Sequence, residues 1–536
     1  MMKIRFLWVY VLLGGLLAGR LPCRLAAEAT LEEKAAQLLI VSADSADISS
    51  AAAAALAGLG GVQLQWGSYS LEDTLQLTEK LQAAAAGAGQ PPLFIAVDYE
   101  GGSVYVPTTL GLLELPTNMM LGAADDENNT ATLFYLAGRE LKRAGINMAF
   151  GPVLDINTNP RNPIIGIRSL GSDPADAARL GGAIINGLKA GGVIAVGKHF
   201  PGHGAAAEDS HKTLPEILLS TTELSATHLA PFRRAIELEI PAIMTVHILF
   251  PALDRKNPAT LSAAVLTGLL KEDLGFGGLV ITDSLDMGAI TRRLSIHKAA
   301  AVSLKAGADV LLIGKGDFGR AVKEIAAQVR KGNIPVGRLD QAYNKVLAAK
   351  RAAGLYSPPR EQSSFDKAYL DITKTLSAKA VTLLRDRGGL LPLPKEKKVA
   401  VIIFAPQRFA QNAIDLYRGL LKADYDASYY FFEIGVKERE LPAIMQAAEE
   451  ADILVVGSFQ WAAAQNRTQR EAIRRLLDAG KPAVLLSLMN PYDLEGYPEA
   501  PCALALYGMT APSMQAAARV LAGQLVPQGR LPVRIP

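Results

Sequence analysis

The chain has 536 residues, half of them hydrophobic and a fifth charged, with a formal net charge of +3. That length exceeds one ordinary compact core and calls for two domains, and the composition excludes a chain disordered throughout. Four basic residues against Glu28 fall within residues 1–29, so the remainder is close to neutral and has no basic block of the kind nucleic acid binding requires.

At the N-terminus, Lys3 and Arg5 precede an apolar run from Phe6 to Ala18, and Ala27-Glu28-Ala29 offers a small-residue cleavage site. This is the layout of a secretory signal peptide over residues 1–29, with a run shorter than the roughly 20 residues a membrane span needs. An exported protein is expected: secreted, periplasmic or associated with the cell envelope. Membrane contact arises only if the segment stays uncleaved as an anchor or Cys23 is lipidated, and Arg20-Leu21-Pro22 is a poor context for acylation. Cleavage leaves Cys502 alone, so the mature chain has no intrachain disulfide and no Cys-based zinc site.

From residue 30 to 355, eight short apolar runs alternate with longer stretches of helical spacing. The runs are Leu38–Ala43, Gly61–Leu64, Leu93–Asp98, Met148–Ile156, Val193–His199, Ala242–His247, Gly278–Asp283 and Ala308–Ile313. Helices are expected at Leu71–Ala86, Ala131–Ala144, Ala175–Ala190 and Glu223–Glu237, among others. This alternation implies parallel strands with crossover helices, and the count implies an α/β fold, a (β/α)8 barrel of the TIM type. Such barrels carry chemistry where strands end, and polar residues stand there: Asp98, Asp155 and Asn157, Lys198 and His199, His247, and Asp283. A proline-containing stretch at 356–365 reads as a linker. Residues 366–536 then show a helix, Ala368–Ala380, and five strand candidates, Val399–Phe404, Ser428–Phe432, Ile453–Gly457, Ala483–Ser487 and Ala503–Tyr507. They suit a smaller α/β sandwich domain with a mainly parallel sheet. It has no glycine-rich phosphate loop, so no nucleotide cofactor is implied.

Three segments carry the candidate chemistry. Lys198–His211 (KHFPGHGAAAEDSH) holds three of the six histidines. Asp209 and His211 are close enough for the carboxylate to fix the imidazole's tautomer and favour its protonated form, as a general acid needs. The plain alternative is a loop whose histidines only satisfy backbone groups. A metal site is a second alternative, since His199, His203, Asp209 and His211 have ligand chemistry, but Lys198 would set a cation beside the ion. Asp283, after a buried-strand pattern, is placed to attack an anomeric carbon, unless it caps the next helix, a role that suits Asp286 better. Asp98, closing Ile95-Ala96-Val97-Asp98, is placed to accept hydrogen bonds from sugar hydroxyls, or else to brace its loop, as Glu100 is expected to do.

The run Lys198–His211, with Asp283 in an Ile-Thr-Asp-Ser-Leu-Asp-Met setting, resembles the bacterial β-N-acetylglucosaminidases of glycoside hydrolase family 3. Asp155-Ile156-Asn157-Thr158-Asn159-Pro160, continuing to Gly166-Ile167-Arg168-Ser169, is similar to a further family segment. The Arg385 strand and the Asn490-Pro491-Tyr492 turn resemble the C-terminal domain of two-domain members. The resemblance implies that Asp283 is the nucleophile and His211 the acid/base, assisted by Asp209. It implies that Asp98, Arg168, Lys198 and His199 hold the sugar, with a saccharide as substrate and neither metal nor cofactor required. Three positions depart from the family pattern: Val106 stands where an arginine near the sugar is usual, Ser103 where arginine is common, and Ala206 where threonine is frequent. The resemblance implies a peptidoglycan-derived substrate with terminal β-linked N-acetylglucosamine, and Val106 is the position that bears on the preferred sugar. Transfer to phosphate, another β-glycosidase activity of the same family, and non-catalytic binding of wall glycan are the alternatives.

Overall fold

The computed structural model describes residues 29–43, 48–65, 70–102, 111–356, 366–461 and 466–535. Nearly all of the expected signal segment, the linker beyond Tyr356, Ser103 and Val106 lie outside them. Each of the eight apolar runs contains one strand: β1 (Leu39–Ala43), β2 (Gly61–Leu64), β3 (Phe94–Asp98), β4 (Met148–Phe150), β5 (Ile194–Phe200), β6 (Ala242–Thr245), β7 (Leu279–Ile281) and β8 (Leu311–Leu312). They pair in the order β7-β6-β5-β4-β3-β2-β1-β8, all in parallel. The ring closes where Ile281 bridges Val310 and the Val310 N–H donates to the Val280 carbonyl at 3.0 Å. Side chains inside the ring and helices outside it bury both faces, which is why the strands read as continuous apolar runs with no alternation.

Most crossover helices lie where the spacing puts them, including Leu71–Gly87, Glu127–Arg143 and Pro174–Ala190. The stretch Glu223–Glu237 differs from expectation, because it forms two helices, Thr221–Ala226 and Ala230–Glu237. Pro231 has no N–H to offer the Thr227 carbonyl and its ring crowds that oxygen, so the helix restarts with proline in its first turn.

The second sheet comprises β9 (Thr382–Asp386), β10 (Val399–Phe404), β11 (Ala427–Phe432), β12 (Ile453–Ser458), β13 (Ala483–Ser487) and β14 (Cys502–Ala505), in the order β11-β10-β12-β13-β14-β9. Five strands are parallel, and β9 runs antiparallel along the β14 edge. Arg385 on β9 donates to the Pro498 and Tyr497 carbonyls at 2.6 and 3.1 Å. Cys502 is buried in β14. Among the described residues no helix is long and apolar enough to cross a membrane.

The two domains have separate cores but meet through an apolar patch. Met119, Met120, Ala123 and Ile167 from the barrel side belong to the same apolar cluster as Val401, Leu486 and Tyr507 of the second domain. Polar contacts fix the register of this interface. Thr117 Oγ1 donates to the Tyr507 carbonyl at 2.6 Å, Asn157 Nδ2 to the Tyr492 hydroxyl at 2.8 Å, and Ser172 N–H to the Pro532 carbonyl at 2.9 Å.

Beneath the barrel, Lys350 is fully buried, with its Nζ 2.8 Å from Gln37 Oε1 and 5.1 Å from the Phe94 ring centroid. Burial with no anionic partner pushes its ammonium down to about 7. A depressed lysine costs stability in full below that value, and the cost disappears as pH rises toward the ordinary lysine pKa of about 10.4. Lys350→Met is therefore expected to raise the melting temperature, and by more at pH 6 than at pH 9, as read by differential scanning calorimetry.

Candidate active site

A cleft of about 470 Å³ opens at the C-terminal ends of the barrel strands. Six of the seven residues singled out from the sequence line it: Asp98, Arg168, Lys198, His199, His211 and Asp283. The seventh, Asp209, stands directly behind His211. The strand-end rule thus converts positions far apart in the chain into one surface.

One end of the cleft is built from buried charge. Lys198 Nζ lies 2.6 Å from Asp98 Oδ1 and 2.5 Å from Glu100 Oε1. Arg168 grips the same Glu100 with both arms of its fork, Nε to Oε2 at 2.7 Å and Nη2 to Oε1 at 2.9 Å. Burial alone would raise the Glu100 carboxyl, but the Arg168 guanidinium and the Lys198 ammonium outweigh it and hold the group at about 2. Burial likewise opposes the charge on Lys198, and Asp98 with Glu100 reverses that, raising its pKa. Asp98 is oriented by Gln63, whose Nε2 donates to Oδ2 at 2.7 Å and whose Oε1 accepts from Ser42 Oγ at 2.6 Å. Glu100 is therefore no simple brace for the Gly101-Gly102 turn. It is the shared counter-ion of both cations.

The middle of the cleft rests on Asp155. This buried carboxylate accepts from His199 Nδ1 at 2.6 Å and from the His203 backbone N–H at 2.6 Å. Burial pushes it up, and the nearby imidazoles of His199 and His203 overcome that and hold it at about 2. With Nδ1 of His199 committed to Asp155, Nε2 is the nitrogen available to a bound sugar. His203 is buried and pushed down to about 4 by that burial, so it is neutral near pH 7; its Nε2 contacts Ser210 Oγ at 3.0 Å.

At the other end stand Asp283 and the Asp209–His211 pair. Asp283 is half-buried at the end of β7, with Oδ1 accepting the Ser284 N–H at 2.7 Å. Burial raises its carboxyl, but the surrounding His247 and His199 rings and the Ser284 N–H together lower it. His247, fully buried, contacts Thr260 Oγ1 at 2.8 Å and the Ser284 carbonyl at 2.9 Å. One oxygen of Asp209 accepts both the backbone N–H and Nδ1 of His211, each at 2.9 Å, while the His211 ring is 47% exposed. Asp286 does not cap the following helix Gly288–Thr291. It accepts from Ser284 Oγ and the Lys315 N–H instead, tying β7 to the loop after β8.

His199 turns to Asp155, His203 to Ser210, and Asp209 and His211 to each other, and among the described residues no three His, Cys, Asp or Glu side chains converge as a metal would require. Glu100, Asp155, Gln63 and His247 have places in the cleft or directly behind it that the sequence reading did not assign. Asp155 and His247 carried the strand-end signal, while nothing local marked Gln63.

The relatives of this chain place its barrel and cleft in the glycoside hydrolase class of enzymes. The model of the glycosyl hydrolase family 3 N-terminal domain matches residues 30–349, and that of the family's C-terminal domain matches residues 381–536. A solved structure of a family 3 β-N-acetylglucosaminidase from Paenibacillus sp. FPU-7 is 33% identical with a TM-score of 0.88, the match covering 95% of this chain and 99% of that one. Beta-hexosaminidase A of Pseudoalteromonas piscicida is 28% identical over 86% of both chains. The beta-N-acetylglucosaminidase/beta-glucosidase of Cellulomonas fimi is 28% identical over 89% of this chain and 88% of its own. The chain belongs to glycosyl hydrolase family 3.

Removing the shared counter-ion leaves two cations facing each other in the buried end of the cleft. Glu100→Gln is expected to cost about 3–5 kcal/mol of stability at pH 7, measured by urea unfolding. The loss is full above about pH 4, the ordinary glutamate range, and fades as pH falls through the native value of about 2.

Proposed function

We propose that this enzyme removes terminal β-linked N-acetylglucosamine with retention of configuration, through a covalent glycosyl-Asp283 intermediate. The observation that carries the reading is one cleft holding an ionised carboxylate, Asp283, together with a carboxylate-supported imidazole, His211. In the first step an Asp283 oxygen bonds to the anomeric carbon, the glycosidic C–O bond breaks, and protonated His211 gives its proton to the departing oxygen. In the second, neutral His211 takes a proton from water, whose oxygen displaces Asp283 from the same carbon. Asp209 holds the ring and stabilises its charged form. Asp98, Lys198, Arg168 and His199 hold the sugar, because their buried ion pairs are already aligned to receive hydroxyl groups with little reorganisation.

N-acetylglucosamine as the sugar is supported by the names of the Paenibacillus and Cellulomonas relatives. Peptidoglycan-derived saccharides as the natural substrate fit the expected signal segment, residues 1–29, which would deliver the enzyme to the cell envelope.

Asp283→Ala is expected to abolish turnover of an aryl β-N-acetylglucosaminide while the protein keeps its melting temperature within a few degrees. Proton NMR of the wild-type reaction should show the β-anomer of the product first; the α-anomer first would remove the covalent intermediate from the mechanism. An imidazole in place of a second carboxylate also admits phosphate as acceptor. Product analysis with and without phosphate separates sugar from sugar 1-phosphate.

The pH profile gives a further check. Because Asp283 stays ionised below the usual carboxylate range, kcat/KM for a dinitrophenyl glycoside, which needs no protonation, should hold on the acid side down to about pH 4. A limb beginning above pH 5 would contradict the assignment of Asp283.

A further inference from the structure

The proton donor and the nucleophile come from different strands, β5 and β7, so their separation must be fixed by contact between the two loops. We propose that Gly288 is the positioning residue for that contact, and that its missing side chain is what lets the His211 loop rest directly on the loop carrying Asp283. The inference builds on the reading of His211 as the acid/base.

The contact is made by backbone. The Gly288 N–H donates to the His211 carbonyl at 3.0 Å, and the Ala289 N–H to the Ser210 carbonyl at 3.3 Å. A Cβ built on Gly288 would lie 2.6 Å from the His211 oxygen, 2.8 Å from the Lys212 oxygen and 3.1 Å from the Lys212 carbonyl carbon. None of these atoms is the end of a flexible side chain, so only movement of the whole loop could relieve the overlap. Gly288 does not occupy the left-handed region that demands glycine. It opens the short helix Gly288–Thr291, where alanine would be favoured over glycine by up to about 1 kcal/mol. Space for the His211 loop therefore accounts for the glycine, and backbone conformation does not.

On its inner side the loop is held by Ser210, buried with its Oγ 3.0 Å from His203 Nε2, and His203 is in turn fixed by Asp155. His211 itself is 47% exposed, so packing does little to place its ring. Asp209 orients the imidazole, and the two backbone contacts set where the loop carrying both residues stands. A displacement of about 1 Å in a proton donor is enough to cost about 100-fold in rate.

The test compares kcat/KM for two aryl β-N-acetylglucosaminides, a dinitrophenyl glycoside that departs without a proton and a phenyl glycoside that requires one. Gly288→Ala is expected to lose about 100-fold on the phenyl substrate and less than about three-fold on the dinitrophenyl one, whose retained turnover reports a folded enzyme with Asp283 in place. Ala289→Pro removes the second N–H, is tolerated in a first helical turn, and should give the same selectivity at smaller amplitude if Gly288→Ala fails to fold. His211→Ala is run beside them. If His211→Ala is selective for the phenyl substrate but the loop variants lose equally on both substrates, or lose nothing, the role of Gly288 is overturned while the acid/base assignment stands. If His211→Ala itself loses equally on both, the acid/base assignment falls, and the role of Gly288 with it.

Discussion

Two cations and one carboxylate, Lys198, Arg168 and Glu100, sit almost without solvent at one end of the cleft, and the geometry around them follows from the need to keep their charges balanced. A buried charge is tolerated only when its partners are close and its remaining hydrogen-bonding capacity is met. Here that demand is met by recruiting from around the ring. Ser42 comes from β1, Gln63 from β2, Asp98 from β3, Glu100 from the loop after β3, Arg168 from the segment after β4, and Lys198 from β5. The chain of contacts therefore spans the barrel's first five strands. Closure of the barrel aligns the charges, and the charges penalise any slip of one strand against the next.

The opposite end of the cleft follows another logic. Asp283 and Asp209 are carboxylates kept ionised by nearby imidazoles and N–H donors, and His211 faces solvent. A sugar ring held for recognition benefits from preformed, dry contacts, whereas a leaving group of variable size must depart past its proton donor. Placing the rigid charges around Lys198 and the proton-transfer group on an open loop meets both requirements within one cleft. Asp155 stands between the two ends, touching His199 on the sugar side and His203 beneath the loop.

How much of this the sequence disclosed follows from the range over which each interaction acts. Barrel strands announced themselves because burial on both faces leaves continuous apolar runs, and the segment Lys198–His211 did so because its histidines are dense and local. The break near Pro231 was legible only as a proline in a helical pattern, whose consequence depends on where the helix restarts. Glu100 was misjudged because its partners lie 68 residues away at Arg168 and nearly 100 away at Lys198, and no local pattern records a contact of that span. Asp286 was misassigned for the same reason, since its partner is the Lys315 N–H on the far side of β8. Strand β9 is legible only through the family resemblance, as the Arg385 strand, because a half-exposed edge strand lacks the apolar run that marks an interior one.

The apolar cluster joining Met119, Met120 and Ile167 to the second sheet bears on how the molecule is made and lost. The helix Asn118–Ala124 and the turn at Ile167 lend apolar side chains to the interior of the second domain, so the two domains meet through a dry patch. The same cluster ties Ile167, the residue beside Arg168, to the fate of the C-terminal half. During synthesis the barrel emerges from the ribosome first, with Met119 and Met120 bare until that half follows. A chain stopped near residue 355 would leave these side chains without the apolar partners they have in the full-length protein.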